Sequence, residues 1–317
     1  MIPTGDLNAL KGQLFCLDSA TVFAVLDGAS VPNLPASLDL YRPEHTCLLR
    51  GVVSPDMVHV APYLVALERN APFTDWLLLN GWGKNWGIFG ISRRDLRALK
   101  RHFRRWVHIE HDGRPMYFRF YDPTVLRNYL PTCNAEELST FFGPVRLFLF
   151  EDEDPETVHL FLLRQNVLQL RVVPLRDSAE RGMADELADS FAVEPSREPT
   201  GTPALRPEQL KQLGQSIYVA RMRRYLQDVF PETKAMPRKT LEQLIEELTE
   251  RATGYKLVLE THVAPFIVAA LILGMNFEDK YPVAQEVLLD YEMDCGRKTE
   301  WLWDFIEVTA VGSEDRQ

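Results

Sequence analysis

The chain has 317 residues, 46% of them hydrophobic and 25% charged, enough apolar material for a globular core without staples. A net charge of −10 disfavours non-specific nucleic-acid binding, because an acidic surface repels phosphate backbones. Four widely spaced cysteines (Cys16, Cys47, Cys133, Cys295) with no C-x-x-C pair point away from a disulfide framework or a zinc knuckle and towards reduced thiols in the cytoplasm. The N-terminus lacks a basic start followed by an apolar run, so no secretory signal is read there. The most apolar stretch, 263–275, is broken by Pro265 and falls short of the ~20 residues a bilayer requires, so no membrane partner is expected.

In chain order, "TVFAVLDG" (21–28) and "TCLLRGVV" (46–53) read as buried strands. "PFTDWLLLNGWG" (72–83) reads as a short helix stopped at Gly81 and Gly83, and "NWGIFGI" (85–91) as a strand. "SRRDLRALKRHFRRW" (92–106) is the clearest helix, with Ser92 and Asp95 spaced as a capping box. Residues 106–122 form a hairpin around Asp112-Gly113, the dipeptide that a two-residue type I′ turn favours. Short helices follow at 123–130 and 134–142. Next come a strand at 143–154 that ends in an acidic cluster and a second hairpin, 157–163 with 167–173.

Residues 193–204, "VEPSREPTGTPA", carry recurrent prolines with Gly, Ser and Thr between them, the composition of an extended linker. Beyond it the pattern turns helical. Leu210, Leu213, Ile217, Ala220 and Leu226 share a face, and Thr240 with Gln243 is spaced as a second capping box ahead of Leu241, Leu244, Ile245 and Leu248. An apolar helix at 256–275 is expected at the centre of a bundle with 281–293 and 299–308. The fold class expected is α+β (mixed α/β) with a mostly antiparallel or mixed sheet over 1–176. A Pro-rich linker at 177–205 and an all-α helical bundle at 206–317 complete it.

The helix at 92–106 turns Leu96, Leu99, Phe103 and Trp106 to one arc at about 100° per residue. Arg93, Arg94, Arg97, Lys100, Arg101, Arg104 and Arg105 fill the opposite arc. That arc is either a solvated face or a docking surface, for an acidic partner or for the chain's own EDED cluster at 151–154. His108 and His111 read as H-x-x-H, but on a strand those positions point to opposite faces, which makes poor co-ligands. No nucleophile elbow, phosphate loop or dinucleotide fingerprint is present; in "GWGKNWG" (81–87) the two tryptophans obstruct a phosphate cradle. No cofactor or metal is expected.

"YFRFYDPTVLRNYLP" (117–131) crowds aromatic, arginine and aspartate side chains without a Ser, Cys, His or Lys among them. Alternation puts Phe118 and Phe120 on one face and Tyr117, Arg119 and Tyr121 on the other. Arg119 needs a carboxylate, Asp122 or another acid, while Asp122 before Pro123 suits a helix cap. The stretch reads as a rigid structural corner rather than a catalytic centre. Two competing readings are a hydrolase-like enzyme using His108 or His111 with Asp122, and a nucleic-acid binder working through 93–105.

"FAVLDG", "HVAPYLVAL", "DWLLLNGWGKNWGIF", "LKRHFRRW", "YFRFYDPTVLRNYLP" and "FFGPV" occur in this order from 23 to 145. Together they resemble the conserved blocks of the type VI secretion effector-chaperone domain, the Tap or Tec adaptors. The resemblance implies a non-enzymatic cytoplasmic adaptor that binds a toxic effector and loads it onto the VgrG spike, with no nucleic-acid or membrane partner. It places Pro62, Tyr63, Trp76, Trp82, Trp86, Arg101, Arg119, Tyr121, Asp122 and Pro123 in the family's core or recognition surface. With Arg97, Arg104 and Arg105 of the basic helix, Tyr63, Trp76, Trp82, Trp86, Arg101, Arg119, Tyr121 and Asp122 form the expected partner-binding set.

Overall fold

The computed structural model describes residues 4–17, 20–111, 113–152, 154, 156–175 and 203–314. The chain forms two compact units, 1–213 and 214–317. The first unit begins α1 (Thr4–Leu14), β1 (Thr21–Asp27), α2 (Leu34–Tyr41), β2 (His45–Cys47), α3 (Pro55–Val60), β3 (Pro62–Leu67), α4 (Pro72–Gly81) and β4 (Gly87–Ser92). It continues through α5 (Leu96–Val107), β5 (His108–His111), β6 (Arg114–Tyr117), α6 (Pro123–Tyr129), α7 (Ala135–Phe142), β7 (Val145–Glu151), β8 (Thr157–Arg164) and β9 (Val167–Pro174).

Seven strands make one antiparallel sheet in the order β2-β3-β1-β4-β7-β8-β9, and β5 and β6 make a separate hairpin. This is the expected α+β class, with the sheet wholly antiparallel. β1 and β7 lie inside the sheet, and both read as unbroken apolar runs because both of their faces are covered: Val22–Leu26 and Leu147–Phe150 are all buried. Gly87 pairs with Leu26, and a Cβ at Gly87 would run into the backbone carbonyl of Val25, so the strand can approach its neighbour only with glycine there. The β8–β9 turn is made by Gln165 and Asn166, both with positive φ (50° and 61°), the backbone of a type I′ hairpin without glycine.

Rings from five elements and the 118–120 segment meet over the sheet. Phe103 of α5 stacks on Phe120 at 5.3 Å and touches Phe23 of β1 at 5.4 Å and Phe148 of β7 at 6.4 Å. Phe141 of α7 meets Trp106 at 4.7 Å and Tyr129 of α6 at 5.6 Å. Each such buried ring removes enough apolar surface to contribute about 2–3 kcal/mol, so α5, α6 and α7 are pinned by the same cluster.

Several local expectations are corrected. The strand expected at 46–53 pairs only over His45–Cys47, because the chain leaves the edge for a loop and α3. Ser92 is not a helix cap: its hydroxyl donates to the Pro144 carbonyl (2.8 Å) and accepts from Arg94 N–H (3.0 Å), while Asp95 caps α5 by accepting from Ala98 N–H (2.9 Å). The strand expected to reach Tyr121 stops at Tyr117. Gly113 has φ +72°, as a type I′ turn needs, and its companion Asp112 lies outside the described residues. α1, α2, α3 and β3 are elements beyond those expected from the sequence.

The proline-rich linker falls mostly on 176–202, outside the described residues. Its end is held: Glu110 N–H of β5 donates to Pro203 O (3.0 Å), Leu205 is buried, and Arg206 pairs with Glu137 of α7 (2.9 Å).

The second unit is helical: most of α8 (Pro207–Val229), then α9 (Arg238–Gly254), α10 (Glu260–Leu273), α11 (Phe277–Lys280), α12 (Pro282–Leu289) and α13 (Cys295–Glu314). α10 is its hub, with Val263, Phe266, Ile267, Ala269, Ala270 and Leu273 buried against α9 and α13. Pro265 lies inside α10 without ending it, forfeiting one backbone hydrogen bond in a fully packed setting. The Thr240–Gln243 box is not formed; α9 starts at Arg238, behind Pro237, with no side-chain cap. Among the described residues, no helix is long and apolar enough to cross a membrane.

Candidate partner-binding surface

The aromatic corner is built by a change of direction after β6. Phe118 and Phe120 turn into the ring cluster, and Asp122 N–H closes a turn onto Arg119 O (3.0 Å). The Asp122 carboxylate then caps α6 by accepting from Thr124 N–H (2.9 Å), with Pro123 in the first turn. Arg119 reaches back to Asp27 at the end of β1 (Nη2 to Oδ2, 2.5 Å), with Asp122 only a distant second at 3.9 Å. Asp27 is 2% exposed and also accepts from Ala29 N–H (3.1 Å) and Ser30 Oγ (2.6 Å). The hydroxyls of Tyr117 and Tyr121 meet at 3.0 Å, and burial pushes the Tyr121 phenol far above its usual range. Every polar group of the corner is thus matched within it, and Arg119 and Tyr117 are the members that keep substantial contact with solvent.

The tryptophan loop is a backbone cradle that already holds a carboxyl group. Gly83 and Asn85, both with positive φ, direct their N–H groups at the carboxylate of Glu151, the last residue of β7. Burial raises the Glu151 carboxyl to about 7, against the opposing pull of those N–H donors and of Arg127. Trp82 packs on Phe89 (6.1 Å), Trp86 on Trp76 (5.5 Å), and the Lys84 ammonium lies over the Trp86 ring at 5.3 Å. The two tryptophans pack inward on this tight loop. Glu151 stands out in the sequence as the first acid of the 151–154 cluster, but nothing there shows that it seats on the N–H groups of Gly83 and Asn85.

The described acids of the 151–154 cluster are engaged away from α5. Asp152 pairs with Arg127 (2.5 Å) and His159 (3.0 Å), and Asp154 accepts from Glu156 N–H (2.9 Å); Glu153 lies outside the described residues. α5 itself is seated through Leu96, Leu99, His102, Phe103, Trp106 and Val107. His102 is buried with Nε2 donating to Phe141 O (2.8 Å), and burial lowers it to about 4, so the ring is neutral. Arg104 donates to Cys47 O (3.2 Å) and Leu49 O (2.8 Å), which ties the helix to the loop after β2. Arg97 and Arg101 face solvent.

The expected partner-binding residues are thus separated by burial. Tyr63, Trp82, Trp86 and Tyr121 are within the core, with Tyr63 donating from its hydroxyl to Val58 O (2.9 Å). Trp76, Arg104, Arg105 and Asp122 are half-buried, and Arg97, Arg101 and Arg119 are exposed. His108 sits edge-on to Tyr117 at 5.5 Å, and among the described residues no group of three or more His, Cys, Asp or Glu side chains is placed to hold a metal.

Fold and surface together define a two-unit protein whose first unit is an antiparallel sheet carrying a sealed aromatic corner and a cation-faced helix. Residues 22–140, from β1 into α7, match the family described as Domain of unknown function (DUF4123). The match is confined to that segment, and the family is known as the type VI secretion effector adaptor or chaperone domain. No curated protein and no solved structure gives a match.

Proposed function

We propose that this protein is a non-enzymatic, cytoplasmic type VI secretion adaptor that binds one cognate toxic effector and delivers it to the VgrG spike. The observation that carries the reading is the family match over 22–140, the segment that contains the aromatic corner, the tryptophan loop and α5. The corner supports it, because its charged groups hold β1 to α6: Asp27 grips Arg119, and Asp122 caps a helix. Such a frame presents shape, a half-exposed arginine and a basic helix to another polypeptide. The test is deletion of the gene in a secreting strain. Loss of effector from VgrG, restored by the plasmid-borne gene, is expected; an effector that stays soluble and spike-bound without it would refute the reading.

A further inference from the structure

We propose that the outer face of α5 is a preformed receptor for an acidic helix of the partner polypeptide, one with carboxylates four residues apart. The proposal rests on the adaptor reading above and names the chemistry of what is bound. Among the described residues, Arg94, Arg97, Lys100 and Arg101 form no ion pair or hydrogen bond through their side chains. Of the described acids in the 151–154 cluster, Glu151 is held by the tryptophan loop and Asp152 by Arg127 and His159, so neither serves these cations. The helix is rigid, anchored by buried Leu99, Phe103 and Trp106 on one side and by Arg104 on two backbone carbonyls. The backbone that carries Arg97, Lys100 and Arg101 is therefore held in place, and among the described residues these three side chains have no partner to displace.

Spacing selects the occupant. Arg97 and Arg101 stand one helical turn apart, about 5–6 Å, which matches carboxylates at i and i+4 on a second helix. Arginine's planar fork takes a carboxylate through two parallel hydrogen bonds, so two such pairs fix register as well as charge. Duplex nucleic acid fits less well. It carries one charge per ~1.7 Å of axis, and α5 exposes neither an aromatic ring to stack on bases nor an amide to read them. A chain with net charge −10 also repels a long polyanion more than a short acidic helix.

The experiment measures fluorescence anisotropy of a labelled helical peptide with glutamates at i, i+4 spacing. Controls are an isomer of the same composition with its glutamates spread around the helix, and a labelled DNA duplex. Full-length protein is compared with R97E/R101E, with the milder R97Q/R101Q, and with R164E on exposed Arg164 of β8 as a distant control. Unchanged thermal unfolding certifies the variants, as is expected for solvent-facing side chains. The spaced peptide should bind the parent and R164E alike and lose about tenfold with R97E/R101E. It should also bind more tightly than its isomer and weaken with salt. Equal binding by the parent and R97E/R101E, no preference between peptides, or tighter binding of the duplex overturns the proposal. Effector capture separates the two levels. If R97E/R101E still captures the effector, this receptor is refuted while the adaptor reading stands; if the parent captures none, the adaptor reading fails.

Discussion

Replacing Arg119 by alanine tests whether the corner is held by its ion pair with Asp27. The change leaves a carboxylate that is 2% exposed with two neutral donors, Ala29 N–H and Ser30 Oγ, and no cation at 2.5 Å. Removing one partner from a fully buried pair costs about 3–5 kcal/mol, whereas a surface pair is worth about 0–1 kcal/mol. The Arg119 side chain is 46% exposed, so solvent already screens part of the attraction and the expected loss lies between those limits, about 2 kcal/mol. D27N releases the buried charge, and in that background R119A should cost about 0.5 kcal/mol or less, a coupling of about 1–2 kcal/mol. D122N should cost about 0.5 kcal/mol or less, since asparagine caps a helix as well as aspartate does and the Arg119 contact is long. The assay is urea unfolding of the parent, R119A, D27N, D122N and the double variants R119A/D27N and R119A/D122N, followed by tryptophan fluorescence and read on the transition of the first unit. A loss below about 0.5 kcal/mol for R119A, or coupling to Asp122 that exceeds coupling to Asp27, would refute the reasoning.

His102 and Glu151 give opposed pH dependences. His102, lowered from 6.5 to about 4, binds fewer protons folded than unfolded and so makes stability rise with pH between those values, by at most ~1.4 kcal/mol per unit. Glu151, raised from 4.5 to about 7, binds more protons folded and makes stability fall with pH across that window at a similar limiting slope. Urea midpoints at several pH values should therefore show H102Q shifting the slope downward relative to the parent and E151Q shifting it upward; parallel profiles contradict both assignments. Gly143 has φ +47° and no room for a Cβ beside the His102 ring, so G143A should lower stability by about 1–3 kcal/mol. Gly214 lies inside α8 with open space around it, so G214A should raise stability by about 0.5–1 kcal/mol, with both glycine variants measured by urea unfolding.

Elements with strong local signals were legible in the sequence. β1, β4, α4, α5, both hairpins and the switch to helices in the second half follow from apolar runs, 3.6-residue spacing and turn dipeptides. What escaped was decided by residues far apart in the chain. The sequence shows that Arg119 needs an acid, Asp122 or another, but not that the nearer one is Asp27, which β1 brings to the corner in space. Glu151 belongs in the sequence to an acidic strand end that could face the basic helix, whereas in space the positive-φ backbone of Gly83 and Asn85 takes it up. Both expected capping boxes failed for a tertiary reason or a backbone one. Ser92 had a better partner in Pro144, and α9 begins before Thr240, behind Pro237. β3 opens with Pro62 and is buried over most of its length, so it lacks the alternation that marks a half-exposed strand. Of the partner-binding set, spacing on α5 identified exposed Arg97 and Arg101, whereas nothing in the sequence separated the tryptophans that pack inward from ones that would face a partner.

The central claim is that the molecule grips another polypeptide without making or breaking covalent bonds. Its most direct test is native mass spectrometry of the tagged full-length protein isolated from cells that carry an active type VI apparatus. The account predicts a stable complex containing the effector encoded beside the gene, with the masses of both chains unchanged after prolonged incubation. A protein recovered only by itself, or an effector whose mass changes while it is bound, would contradict the account.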